Sequence, residues 1–246
     1  NFFFFLFFFL LMAFAVSLSA QKNNSYDFEC MINAINSGNY DRAIYYAEKM
    51  LKSDRSVYGE KHPEYAGSLV NLGLVYYYKG DYSKAESYYL KALNIYKSKV
   101  TKDNPGYISC LNNLGNLYSD MSEYSKAESS YKEVLDISRS KYGEKHERTA
   151  KAMHGLGSVY RMMGNYSKAE YYCLEATKIM KLVLGENHLE YAVTLHGLGD
   201  LYVAMGDYPR AESCYQEMIK IRKSKASEHP VLYAGSLASL ATTYIN

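Results

Sequence analysis

Histidine is the residue type in this sequence best suited to act as a base or as a metal ligand near neutral pH. Three of the six histidines end the similar segments YGEKH, YGEKH and LGENH, and a fourth is displaced by one residue: His62, His146, His188 and His229. A shared zinc ion would need all its ligands within ~2.1 Å. Repeated positions on packed helices lie roughly 8–10 Å apart. These histidines are therefore predicted to cap helix starts or to form surface hydrogen bonds.

Other chemical signatures are missing from the sequence. It contains no phosphate-binding glycine loop, zinc-protease helix motif or nucleophile elbow. The 28 Lys and Arg residues and 26 Asp and Glu residues leave a formal charge of +2 without any block of like charges, so a nucleic-acid partner gains little support. We therefore expect no enzyme, cofactor or metal site within these 246 residues.

The four cysteines occupy four different positions of the 42-residue repeat that is described below. Cys30, Cys110, Cys173 and Cys214 are predicted to be small buried residues. A disulfide between Cys173 and Cys214 is the alternative. The apolar N-terminal segment described below predicts export, and the two cysteines lie on neighbouring repeats of 42 residues, one residue away from equivalent positions.

A period of 42 residues organises the chain. The segment GDYSKAE, with close variants, places a tyrosine at the same point of each period: Tyr40, Tyr82, Tyr124, Tyr166 and Tyr208. Each period carries two apolar patterns with steps of three and four residues, which is helical spacing. Gly80 stands between the two patterns, where a helix can end in the left-handed conformation, and Asp81 or Ser83 can cap the next helix. The repeated element is therefore predicted to be helix, tight turn, helix.

The residues at these positions resemble the tetratricopeptide repeat. Leu72, Gly73 and Tyr76 in the first helix are followed by Ala85 and Tyr89 in the second, and similar sets recur in the next three periods. The 42-residue length is similar to that of kinesin light chain repeats and of many bacterial arrays. The resemblance implies an all-α fold, a right-handed superhelical solenoid of antiparallel helix pairs. It also implies that the chain binds a protein or peptide.

The period divides the chain into predicted segments. We expect a signal peptide over 1–20, a partial N-terminal repeat over 21–59, full repeats over 60–101, 102–143, 144–185 and 186–227, and the first helix of a truncated repeat over 228–246.

The resemblance also places the variable positions of the first helices on a concave groove. These positions differ from repeat to repeat, whereas the core positions do not. The candidate groove residues are Asn112, Asn116, Ser119, Lys151, His154, Ser158, Arg161, His196 and Asp200. Such polar groups can bind an extended peptide, or they can form an ordinary solvated helix face. Some grooves of this family hold a C-terminal carboxylate with paired Asn and Lys or Arg, so Asn112, Asn116, Lys151 and Arg161 suggest a carboxylate ligand.

The first twenty residues differ from the rest. Phe2 to Val16 is apolar throughout, small residues follow to Ala20, and the chain then becomes polar, which is typical of a signal peptide. The apolar run is shorter than the ~20 residues of a spanning helix, although a retained membrane anchor is an alternative. We therefore expect an exported, non-catalytic binding scaffold, periplasmic or extracellular in a bacterium. The alternative function is the recognition region of a longer enzyme or sensor, such as a caspase-like peptidase or a histidine kinase.

Overall fold

The structure is a computed structural model that describes residues 24–225 and 230–245. The predicted signal peptide and His229 lie outside the described residues. All regular secondary structure in the described part is helical, which confirms the all-α prediction. The helices are α1 (24–36), α2 (Tyr40–Tyr58), α3 (Pro63–Lys79), α4 (Tyr82–Lys99), α5 (Pro105–Asp120), α6 (Tyr124–Tyr142), α7 (Glu147–Met162), α8 (Tyr166–Leu184), α9 (Leu189–Ala204), α10 (Tyr208–Lys223) and α11 (Pro230–Ile245).

The helices belong to two compact units. The N-terminal unit extends to Leu117, and the C-terminal unit begins at Tyr118, in the last turn of α5. In the N-terminal unit, α3 packs against both α2 and α4. In the C-terminal unit, each helix from α6 to α11 packs against the next, and α7 also packs against α9. Odd-numbered helices are the first helices of the repeats, and even-numbered helices are the second.

The turn between the two helices of a repeat follows the sequence prediction. Gly80 ends α3 with φ 84°, which is a left-handed conformation that glycine adopts without strain. The Asp81 side chain then accepts a hydrogen bond from the Lys84 amide at 3.2 Å and so caps α4. Asn39, Asn165 and Asp207 form the same cap. The turn before α6 is the exception, because Ser122 has φ 60° and Glu123 forms no side-chain cap.

In two of the helix pairs, a glycine of the first helix faces a tyrosine of the second. A Cβ atom at Gly73 would lie 2.7 Å from Cε1 of Tyr89, and a Cβ atom at Gly199 would lie 2.5 Å from Cε1 of Tyr215. Both tyrosines are buried. Glycine is therefore needed at this position because only the absence of a side chain allows the two helices to approach so closely.

The repeated lysine of the turn segment covers a tyrosine ring. Its ammonium group, or the guanidinium group of the equivalent arginine, lies 4.2–4.9 Å from the ring centroid in the pairs Lys84–Tyr76, Lys126–Tyr118, Lys168–Tyr160 and Arg210–Tyr202. This distance is short enough for a cation–π interaction. The lysine therefore belongs to the scaffold and does more than provide a polar surface.

Three of the loop histidines cap helices, as predicted. The Nδ1 atoms of His62, His146 and His188 accept hydrogen bonds of 3.1–3.2 Å from the amides of Glu64, Arg148 and Glu190. In residues 24–225 and 230–245, no three His, Cys, Asp or Glu side chains are grouped to hold a metal ion. None of the described helices combines the length and apolar character that crossing a membrane requires.

The four cysteines are unpaired, so the alternative of a Cys173–Cys214 disulfide is wrong in this structure. Cys110, Cys173 and Cys214 are buried, and Cys30 is half-buried. Burial raises the pKa of Cys110 and Cys173 to about 12 and the pKa of Cys214 to about 11. These thiols act as small core residues, because a thiol with a raised pKa is a poor nucleophile.

Candidate functional site

The N-terminal unit contains a cavity of about 260 Å³ beside its first helices. Three variable first-helix positions, Gly67, Val70 and Ser109, line it, and Asn24 and Phe28 of α1 contribute another wall. Asp54 of α2 and Tyr96 of α4 reach it from the second helices. The cavity is therefore bounded by side chains or backbone from all five helices of this unit.

Asp54 is the buried charged residue of this cavity. The residue is only 5% exposed. Its Oδ2 atom accepts a hydrogen bond from the Ser68 hydroxyl, and its Oδ1 atom accepts one from the Asn24 amide at 2.7 Å. Burial raises the pKa of Asp54, and the two hydrogen bonds oppose that shift. A buried carboxyl group thus stands in the cavity with neutral donors as its neighbours.

Two further acceptors belong to the same cavity. The side-chain oxygen of Asn24 is buried and has no hydrogen-bond partner in the described structure. Glu64 of α3 is exposed, and it forms no ion pair within the part of the chain that the structure describes. Its negative charge contributes to the raised pKa of Tyr96, after the larger effects of burial and of Cys110.

In the C-terminal unit, the predicted groove residue Lys151 is already neutralised. Its ammonium group lies 2.6 Å from the Glu147 carboxylate on the same helix and 3.2 Å from the Glu190 carboxylate on α9. The pair with Glu190 links α7 to α9. Lys151 is therefore a poor candidate for holding a ligand carboxylate, because that ligand would have to compete with two carboxylates of the chain.

Three of the predicted residues, His154, His196 and Asp200, lie on facing parts of α7 and α9. A side chain at Gly197 would collide with the Nε2 atom of His154, which is buried and has no hydrogen-bond partner. Burial lowers the pKa of His154, so the ring is neutral at neutral pH. The His196 Nε2 atom lies 3.6 Å from Asp200 and 3.1 Å from the Ser239 hydroxyl of α11.

Arg161 differs from Lys151 in having no anionic partner. It is half-buried near the end of α7, and no described residue forms an ion pair or hydrogen bond with its guanidinium group. Burial and a 2.7 Å hydrogen bond to Asp200 raise the pKa of Tyr215, and the positive charge of Arg161 opposes that shift. Arg161 therefore lies close enough to influence Tyr215 while its own charge is uncompensated. We call Arg161, His154, His196 and Asp200, together with Tyr215 of α10, the α7–α9 cluster.

The remaining predicted residues lie on α5 and α7. Asn112 is half-buried and Asn116 is exposed on the part of α5 that belongs to the N-terminal unit, whereas Ser119 is buried in the C-terminal unit. Ser158 is half-buried on α7.

Sequence reasoning missed Asp54 and Tyr215. Asp54 occupies a second-helix position that repeats every 42 residues with a different side chain each time: Asp54, Tyr96, Ser138, Met180 and Arg222, all buried. The change between charged, polar and apolar residues at one repeated position was the available signal that Asp54 could have a function. Tyr215 stands at the core position equivalent to Tyr89, and its hydroxyl reaches the variable residue Asp200.

Comparisons with known proteins agree with this architecture. The structure is similar to BtubC (BKLC) from P. vanneervenii, with TM-score 0.69, 23% identity and 83% of each chain covered. It is also similar to a variant of a putative kinesin light chain from Podosopora anserina with nearly identical repeats, with TM-score 0.69, 17% identity, and 82% of this chain and 96% of that chain covered.

A third similar structure is a Rap conjugation gene regulator solved in complex with a Phr peptide, with TM-score 0.67 and 21% identity. This chain is covered over 92% of its length and spans 63% of that regulator. No curated protein matches the chain. The family model described as tetratricopeptide repeat matches residues 33–98, 107–181 and 149–224, which together are more than half of the sequence. The resemblance predicted from the sequence is thus confirmed, and the chain belongs to the tetratricopeptide repeat family.

Proposed function

We propose that this chain is a binding scaffold that holds a peptide or protein partner on the variable face of its first helices. The observation that carries the proposal is Arg161, a half-buried guanidinium group without an anionic partner in the described residues. A charge that is partly removed from water is costly unless it is paired. A ligand carboxylate at Arg161 would supply the missing partner.

The guanidinium group of Arg161 suits a carboxylate ligand. A guanidinium group presents parallel N–H donors that match the two oxygens of a carboxylate. The His196 ring belongs to the same cluster and can add a hydrogen bond to the ligand. Lys151 takes no part in this proposal because Glu147 and Glu190 already pair with it.

The Rap regulator supports the choice of a peptide as the ligand class, since it was solved with a Phr peptide and has a similar fold. At 21% identity that likeness concerns the fold, so the choice of partner depends on the side chains of this chain. The variable first-helix positions are where those side chains differ between repeats.

A peptide array tests the proposal. Random pentadecapeptides are immobilised either through their N-termini, which leaves the carboxylate accessible, or through their C-termini. We expect the wild-type chain to capture a subset of the N-terminally anchored peptides, and Arg161→Gln to lose that subset. Arg148→Gln is the matched control, because Arg148 is an exposed arginine on the same helix. Absence of capture in both orientations, or equal capture by Arg161→Gln, would contradict the proposal.

We also propose that the protein is exported, on the basis of the apolar segment from Phe2 to Val16 and the small residues up to Ala20. N-terminal sequencing of the protein recovered from its native cells tests this. A mature chain that begins at Gln21 supports export with cleavage. A cytosolic protein that keeps residues 1–20 would contradict it.

A further inference from the structure

We propose that the cavity of the N-terminal unit binds a cationic side chain of the partner, a lysine or an arginine. This inference rests on the proposed function, because it assigns a specific part of a peptide ligand to this cavity. The cavity belongs to the N-terminal unit and would bind a cation, whereas the α7–α9 cluster belongs to the C-terminal unit and would bind an anion.

The cavity carries negative charge. Its lining includes the carboxylates of Asp54 and Glu64 and no lysine, arginine or histidine. Neither carboxylate forms an ion pair within the described ranges 24–225 and 230–245. The cavity therefore favours a positive charge and disfavours an anion.

Asp54 and Asn24 can each accept more hydrogen bonds in this cavity than the described residues donate. Asp54 receives one hydrogen bond on each oxygen, from Asn24 and from Ser68, which leaves lone pairs for further donors. The buried side-chain oxygen of Asn24 has no donor at all in the described structure. A buried acceptor without a partner destabilises the folded chain. An ammonium or guanidinium group carries three to five N–H donors and can satisfy both residues.

The cavity also has an apolar surface and a volume that suit a long cationic side chain. Met50 and Val70 line the cavity, as do the aromatic rings of Phe28 and Tyr96. Lysine and arginine carry apolar methylene stems that pack on such surfaces while their charged heads reach polar groups. Aromatic rings also attract cations. With about 260 Å³ of space, the cavity can hold a side chain of this kind together with water.

Asp54 differs from the residues at the same position of the other repeats. The same repeat position is Tyr96 in the next repeat and Met180 further along, and both are compatible with burial. An apolar residue at position 54 would avoid the cost of burying a carboxyl group. The structure of the repeat therefore does not require Asp54, and a cationic ligand gives it a role.

An NMR titration of the full chain tests the proposal. The probes are acetyl-Gly-Gly-Lys-Gly-Gly-amide, the same peptide with norleucine in place of lysine, and n-butylammonium. The amides of Gly67 and Gly106 report on the cavity, because both residues line it. We expect the lysine peptide to shift these amides and to bind about tenfold or more tightly than the norleucine peptide, since norleucine cannot form hydrogen bonds with the two carboxylates.

Matched variants assign the effect to the cavity. Asp54→Asn and Glu64→Gln each remove one negative charge, and we expect both to weaken the lysine peptide, Asp54→Asn by about tenfold. Glu64 is exposed, so Glu64→Gln tests the charge without altering the buried part of the cavity. Glu48→Gln is the control, because Glu48 is an exposed acid on α2 that does not line the cavity.

Three results would overturn the inference. They are the absence of shifts at Gly67 and Gly106, equal affinity for the lysine and norleucine peptides, and binding of n-butylammonium as tight as that of the lysine peptide. The last result would assign the cavity to a free amine. If any of these occurs while Arg161-dependent capture on the peptide array persists, the proposed function stands and only the assignment of the cavity fails.

Discussion

Asp54 in the N-terminal unit and Arg222 in the C-terminal unit occupy the same position of the repeat, four periods of 42 residues apart. Asp54 accepts a hydrogen bond from Ser68, and Arg222 donates one of 2.9 Å to Ser236. The two serines are also equivalent in the repeat. A hydroxyl group can donate or accept, so the same corner of the scaffold accommodates either sign of charge.

This comparison separates two kinds of buried position. Gly73 and Gly199 are fixed by the close approach of two helices, and the sequence repeats them. The row that contains Asp54 and Arg222 is equally buried, yet its side chains change from repeat to repeat. Burial alone therefore does not identify the scaffold. A buried position whose polarity changes is a better guide to where the repeats differ in function.

The largest effect should come from the shared scaffold. Gly73→Ala and Gly199→Ala each place a Cβ atom within 2.7 Å of a buried tyrosine ring. We expect overpacking to lower the free energy of unfolding by about 1–3 kcal/mol in each variant, and by a similar amount in both units. Urea unfolding followed by circular dichroism measures this. A large cost in one unit and none in the other would show that the glycine contact is not a common scaffold element.

The next effect distinguishes two equivalent tyrosines. The Tyr215 hydroxyl donates to Asp200 at 2.7 Å, whereas the Tyr89 hydroxyl forms no hydrogen bond with any described residue. We expect Tyr215→Phe to cost about 1.5 kcal/mol of unfolding free energy, because it removes a hydrogen bond to a charged group. Tyr89→Phe should change stability by less than about 0.5 kcal/mol. Equal values for the two variants would argue against the hydrogen bond to Asp200.

A third effect compares the two turns before α4 and α6. Gly80 has φ 84°, and Ser122 has φ 60° at the equivalent place. A side chain in this conformation costs roughly 1–2 kcal/mol. We therefore expect Ser122→Gly to raise the unfolding free energy by about 1 kcal/mol and Gly80→Ser to lower it by a similar amount. Thermal unfolding checks the pair, and a loss of stability in Ser122→Gly would refute the explanation.

The smallest expected effect is the pH dependence of the unfolding free energy, which should have opposite signs for Asp54 and His154. Burial raises the pKa of Asp54, so its stabilising contribution is fully present below the ordinary value of 3.8 and is lost as pH rises through the raised pKa. Burial lowers the pKa of His154, so its contribution is fully present above 6.5 and is lost as pH falls through the lowered pKa.

Unfolding free energies between about pH 4 and pH 7 check these opposite signs. The stability of the wild-type chain relative to Asp54→Asn should fall as pH rises. Its stability relative to His154→Gln should fall as pH decreases. Asp54 accepts hydrogen bonds from Asn24 and Ser68 and is influenced by His62, and His154 is influenced by Glu190, His196 and Asp200. Two curves with the same slope would mean that at least one of the buried groups is wrongly assigned.

Much of the scaffold could be predicted from the sequence because its determinants are local. The Gly80 turn, the Asp81 cap and the histidine caps each depend on residues a few positions apart, and the 42-residue period repeats them along the chain. The contact between Gly73 and Tyr89 was also predictable, because it recurs in register.

The candidate sites were less predictable because they depend on distant contacts. Asp54 is buried by residues 14 and 30 positions away, Ser68 and Asn24, so its place on a regular helix gave little indication of burial. Lys151 and Arg161 look alike in the sequence, yet Glu190 on another helix neutralises only Lys151. Which cation lacks a partner became clear only when the helices were packed together.

The central claim is that one scaffold presents sites of opposite charge preference in its two units. NMR titration of the wild-type chain with acetyl-Gly-Gly-Lys-Gly-Gly-amide and with acetylated pentaglycine bearing a free carboxylate tests it most directly. We predict that the first peptide shifts the amides of Gly67 and Gly106 and that the second shifts those of Gly155 and Gly197, which flank His154 and His196. Shifts of the same glycines by both peptides would contradict the claim.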